Sequence, residues 1–124
     1  MKLKTFPHGI HPPEYKELTK DRPLEPLPPP KKVYIPLSQH FGKTAEPVVE
    51  KGDEVLLGQK IGESQGLFSA CIHASVSGKV TKIDDHPHPL GRPVPTIIIT
   101  NDGEDKPHPD LQGADDPFSL KPEE

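Results

Sequence analysis

The stretch Val49-Glu50-Lys51-Gly52-Asp53-Glu54-Val55-Leu56-Leu57-Gly58-Gln59-Lys60-Ile61 decides the fold. Short apolar runs flank a Gly-Asp corner and a second glycine precedes the next run, a pattern that predicts tight β-turns between short strands and no helix. A partner follows in Ala74-Ser75-Val76-Ser77-Gly78-Lys79-Val80-Thr81-Lys82-Ile83, where glycine again separates runs rich in Val and Ile. Glycine supplies turn conformations denied to other residues, and an aspartate beside it can accept hydrogen bonds from nearby backbone N–H groups. Gly52, Asp53, Gly58 and Gly78 are therefore read as structural turn residues, not as ligand-binding ones. Strands are expected at residues 33–37, 46–50, 54–56, 59–62, 67–74, 78–83 and 96–100, with a single helical turn at 14–19. Short strands spaced by Gly turns indicate an all-β barrel or sandwich. Ile97-Ile98-Ile99, apolar at consecutive positions, is expected to be buried on both faces or to pair centrally.

Two such half-motifs in one small domain resemble a barrel-sandwich hybrid, the fold of biotinyl and lipoyl carrier domains. The resemblance implies a modified lysine on an exposed hairpin a few residues before the second half-motif. Counted back from Ile72, that hairpin is Ser64-Gln65-Gly66-Leu67-Phe68-Ser69-Ala70, and it holds no lysine. Lys60 and Lys79 lie on either side of it, too far along the chain to sit at the tip. The expectation is the carrier fold without carrier chemistry.

Composition divides the chain. It has 124 residues, 31% of them hydrophobic, and a mean hydropathy of -0.65, low for a chain folded throughout. Of its 18 prolines, nine lie in residues 1–36 and eight in 87–124, leaving Pro47 alone between. Proline cannot donate to a sheet ladder. The expected division is a Pro-rich extended arm at 1–32, a barrel-sandwich domain at 33–100 and a polar linker or tail at 101–124. A net charge of -4 and a pI near 6.0 argue against nucleic-acid binding, which needs a concentrated basic face. No apolar run approaches the ~18–20 residues of a membrane span, and the N-terminus lacks the apolar stretch of a signal peptide; a cytoplasmic position is expected. One cysteine, Cys71, permits no internal disulfide and too few thiolates for an iron-sulfur cluster.

Motifs that carry chemistry are sparse. His8 and His11, and His86 and His88, are spaced to offer paired imidazoles, but no third ligand accompanies either pair, and they read as loop histidines. Cys71, in Ala70-Cys71-Ile72, reads as a small core residue; His73 falls on the same side of a strand, without an acid to orient it. Neither phosphate-binding glycine pattern occurs, and Asp84-Asp85 and Asp115-Asp116 read as solvated loop charge. No catalytic, cofactor-binding or metal-ligating residue is assigned.

A closer resemblance covers about residues 5–100. Phe6-Pro7-His8-Gly9-Ile10-His11-Pro12-Pro13-Glu14 and Leu27-Pro28-Pro29-Pro30-Lys31-Lys32-Val33-Tyr34-Ile35-Pro36-Leu37-Ser38-Gln39-His40, followed by the Gly-punctuated runs above, are similar in order and spacing to the N-terminal region of the RnfC family, the C subunit of the Rnf electron-transport complex. The chain departs at His8, where the family pattern has the first of two glycines. The resemblance implies a non-catalytic scaffold or docking domain of a complex that couples electron transfer between ferredoxin and NAD to ion movement. It implies that FMN, NADH and two 4Fe-4S clusters belong to parts of the RnfC protein beyond this domain, so this chain by itself holds no cofactor and is not an enzyme. Its partners would be the other subunits, and its place peripheral on the cytoplasmic face of the membrane. Ile10, His11, Pro12 and Pro13, in an arm preordered by proline, are the candidate partner contact. The related A subunit of a sodium-translocating NADH:quinone reductase, a biotin or lipoate carrier, and a free-standing adaptor are the alternatives.

Overall fold

The computed structural model describes residues 13–111 and residue 113. A single 3-10 turn at Lys16–Leu18 precedes seven strands: β1 (Lys32–Pro36), β2 (Glu46–Pro47), β3 (Glu54–Val55), β4 (Lys60–Glu63), β5 (Ile72–His73), β6 (Gly78–Pro87) and β7 (Pro93–Asn101). They form two antiparallel sheets, one ordered β1-β7-β6-β3 and the other β2-β4-β5. One core joins them, with Ile61 and Ile72 from the smaller sheet and Ile35, Val55, Val80, Ile97 and Ile99 from the larger. Each such side chain, fully buried, contributes about 1.5–3 kcal/mol. The all-β expectation holds.

β7 lies between β1 and β6, and its triple isoleucine is buried at every position. Ile97 and Ile99 face the core. Ile98 lies on the other face, where Tyr34 of β1 and His86 of β6 meet edge to face across β7 with ring centroids 5.0 Å apart. The expectation of two-sided burial is met, since Ile98 is buried as its neighbours are.

Four expected elements differ. The strand expected at 46–50 is only Glu46–Pro47. The strand expected at 67–74 is only Ile72–His73, because residues 64–70 form an open loop. β6 runs to Pro87 instead of Ile83, and β7 starts at Pro93 instead of Thr96. Pro93 and Pro95 are tolerated because contact from β1 ends after the Pro36–Thr96 pair with the Leu37 N–H bond to the Pro95 carbonyl, which asks no N–H of either proline; beyond it β7 is an edge strand, whose outward N–H proline can forgo. The register of β6 also shifts at Thr81, between Val80 opposite Ile99 and Lys82 opposite Ile98, which is a β-bulge. Thr81 donates its hydroxyl to the Ile98 carbonyl at 3.1 Å. The bulge turns both Val80 and Ile83 toward the core, although their spacing of three would put them on opposite faces of a regular strand.

Residues 13–32 are exposed, and the arm joins the barrel where the Asn101 N–H and side-chain amide donate to the Lys31 and Pro30 carbonyls at 3.1 and 3.0 Å. After Asn101 the chain turns back along the barrel. Leu57 N–H donates to the Lys106 carbonyl and His108 N–H to the Leu57 carbonyl, both at 2.8 Å.

Candidate functional site

The loop between β4 and β5, residues 64–70, where the resemblance to carrier domains put their lysine, is lysine-free. A second loop, residues 38–44, is clamped to it. Lys43 N–H donates to the Phe68 carbonyl at 2.9 Å, Ser69 Oγ donates to the Lys43 carbonyl at 2.9 Å, and His40 Nε2 lies 2.9 Å from that carbonyl and 3.1 Å from Ser69 Oγ. Gly42, at φ 106°, makes the close approach possible, since a Cβ there would fall 1.9 Å from the Phe68 carbonyl oxygen. The outcome is an edge-to-face pair, Phe41 on Phe68, at 6.2 Å, with both rings in the open. The β6–β7 turn reaches the same end: His88 and Leu90 share a shallow groove with Ser38, Gln39, His40 and Phe41.

Beside this tip, Lys60, Glu63 and Cys71 form a chain. Lys60 Nζ pairs with Glu63, and Cys71 Sγ donates to the other Glu63 oxygen at 3.3 Å. The hydrogen bond to Glu63 raises the Lys60 ammonium above its ordinary range; the same bond, then that from Cys71, lowers the Glu63 carboxyl. Cys71 is thus half-buried on a polar partner, a correction to its reading as a core residue, and its cause is the shortening of β5. His73 is exposed and lines a groove with Lys60, His108 and Asp110. Among the described residues no three His, Cys, Asp or Glu side chains are placed to hold one metal ion.

Of the turn residues, Gly52, Asp53 and Gly78 gather at the opposite end of the barrel, while Gly58 lines the groove with Lys60 and His73. Glu50 N–H donates to the Asp53 carboxylate at 2.8 Å, Gly52 N–H to the Val80 carbonyl, and Val80 N–H to the Asp53 carbonyl. Gly78 opens β6 beneath the Thr100 carbonyl, while Gly58 packs under the Leu111 side chain. Ser77, fully buried next to Gly78, donates to Asp102 at 2.7 Å and accepts from Lys106 N–H at 2.9 Å, closing the returning segment onto the barrel. Its hydroxyl, then the Glu104 N–H, holds the Asp102 carboxyl below its ordinary range. Asp84 pairs with Lys82, which lowers it too. Of the candidate partner contact, Pro13 is exposed, whereas Ile10, His11 and Pro12, with His8 and Asp115-Asp116, lie outside the described residues.

Sequence reasoning missed the apolar tip and the Ser77 clasp. The signals were Leu67-Phe68 isolated behind Gly66, and Ser77 directly before the corner glycine.

The family model of the RnfC barrel sandwich hybrid domain matches residues 4–104. The C subunit of a proton-translocating ferredoxin:NAD(+) oxidoreductase complex from Clostridium ljungdahlii is 48% identical over 104 residues, 84% of this chain and 23% of that protein. The C subunit of the Na(+)-translocating counterpart from Acetobacterium woodii is 45% identical over 112 residues, 90% of this chain and 25% of that protein. The C subunit of an ion-translocating oxidoreductase complex from Rhodobacter capsulatus is 46% identical over 118 residues, 94% of this chain and 22% of that protein. The chain spans about a quarter of the length of these curated relatives. With two antiparallel sheets closed on one core and this match over most of its length, the chain belongs to the family of RnfC barrel sandwich hybrid domains.

Proposed function

We propose that this domain is a non-catalytic scaffold of the RnfC protein in an ion-translocating ferredoxin:NAD oxidoreductase complex, where it docks the redox-active part of that protein onto its partners. The observation that carries this reading is the lysine-free hairpin at 64–70: the carrier framework is retained while the group that would make it a carrier is missing. FMN, NADH and the two 4Fe-4S clusters then belong to the rest of the RnfC protein. The Pro-rich arm, with Ile10, His11, Pro12 and Pro13, meets neighbouring subunits on the cytoplasmic face, because preordered segments lose less entropy on binding.

Deleting residues 1–100 from a full-length RnfC protein tests it. The expected result is a protein that still oxidises NADH with an artificial acceptor and no longer co-purifies with the membrane complex. Normal assembly of the shortened protein, or stoichiometric FMN bound to the 124-residue chain, would overturn the proposal.

A further inference from the structure

The end of the barrel that holds the 64–70 hairpin presents four large apolar side chains to solvent: Phe41 is 88% exposed, Leu67 90%, Phe68 64% and Leu90 62%. They stand on three loops that converge, residues 38–44, 64–70 and 88–92. These loops carry the cations Lys43 and Arg92 and no carboxylate, in a chain whose net charge is -4. The opposite end carries both signs, with Glu50, Lys51, Asp53, Glu54 and Lys79 at one corner and Asp102, Glu104, Asp105 and Lys106 on the returning segment. Glu46, Glu63 and Asp85, which flank these loops in sequence, belong to strands.

We propose that this end docks on an anionic lipid bilayer, with Phe41, Leu67, Phe68 and Leu90 entering the headgroup region and Lys43 and Arg92 meeting lipid phosphates. Apolar side chains flanked by cations are what such a surface binds, through burial of the former and attraction of the latter. Cations without carboxylates on the three loops favour approach of the domain tip first. The clamp between loops 38–44 and 64–70 fixes the Phe41–Phe68 pair beforehand, so insertion orders little new chain. Charge selects the occupant. Phe41 and Leu67 are nearly as exposed as on a free chain, and the loops that carry them hold cations and no carboxylate, as an anionic surface requires. A second copy, tip to tip, would set both pairs of cations against each other. The proposal rests on the scaffold reading only for the nearness of a membrane.

The chain contains no tryptophan, so Leu67→Trp and Lys51→Trp place one reporter at the tip and one at the far corner. With phosphatidylcholine vesicles containing a minority of phosphatidylglycerol, emission of the tip reporter should shift to the blue and that of the corner reporter should not. In co-sedimentation, Phe41→Ser with Phe68→Ser, and Lys43→Glu with Arg92→Glu, should each bind these vesicles on the order of tenfold more weakly than the parent chain. Lys51→Glu should bind as the parent does. An unshifted tip reporter, or vesicle binding indifferent to both double substitutions, overturns the proposal. So does a parent chain that ignores vesicles while the same substitutions in the full-length RnfC protein block assembly with its partners, a result that would make the tip a protein contact and leave the scaffold reading standing.

Discussion

Gly52 and Gly78 read alike in the sequence, as matching corners of two half-motifs, and the structure separates them. Both have positive φ, 105° and 150°. A Cβ on Gly52 would meet nothing within 4 Å, whereas one on Gly78 would fall 2.1 Å from the Thr100 carbonyl oxygen, a backbone atom of the central strand. Gly52→Ala should therefore cost about 1–2 kcal/mol, the strain of the left-handed region alone, and Gly78→Ala visibly more; thermal melts of the two variants decide it, and equal midpoints would contradict the close approach. Ser77→Ala removes the acceptor of Lys106 N–H and the donor to Asp102, a loss of about 1 kcal/mol for the amide alone. Because the Asp102 carboxyl is held below its ordinary 3.8, its charged form favours the fold, and that contribution is present above 3.8 and lost as pH falls through the lowered value. The stability gap between Ser77→Ala and the parent should accordingly be flat from neutral pH to about 5 and narrow in stronger acid, as denaturant titrations across pH would show.

Among the elements, those fixed by local chemistry were legible and those fixed by tertiary pairing were not. Gly-Asp corners and β-branched runs placed β1, β3, β4, the start of β6 and the end of β7 within a residue or two. Prolines hid the outer half of the β6–β7 hairpin, since tolerance of Pro93 and Pro95 depends on where β1 stops, a fact of pairing absent from the local pattern. The apolar tip was illegible for a similar reason: its three loops are far apart in sequence and meet only when both sheets close. The Thr81 bulge was half legible in the spacing of Val80 and Ile83, which no regular strand can bury together. Deleting Thr81 would restore a regular ladder and turn one of those side chains outward, at about 1.5–3 kcal/mol for the apolar group lost from the core. Thr81→Val keeps the extra residue and gives up only the hydroxyl bond to Ile98, about 0.5–1.5 kcal/mol. The deletion should melt well below the substitution, and the reverse order would show that the bulge does not set the register.

For the molecule as a whole, the carrier framework without its lysine predicts that neither a biotin ligase nor a lipoate ligase adds mass to the chain, a result read directly from the intact mass spectrum after incubation. An adduct on Lys60 or Lys79, the lysines on either side of the hairpin, would show that another surface can serve as the acceptor. The longest element, the β6–β7 hairpin, holds nine paired positions from Gly78 opposite Asn101 to Pro87 opposite Pro93. At about 3.4 Å per residue it measures roughly 30 Å from the arm junction to the apolar tip. It works as a strut of set length: whatever grips the arm and whatever the tip rests on are held that far apart. A pair of residues added to each strand would lift one from the other by about 7 Å.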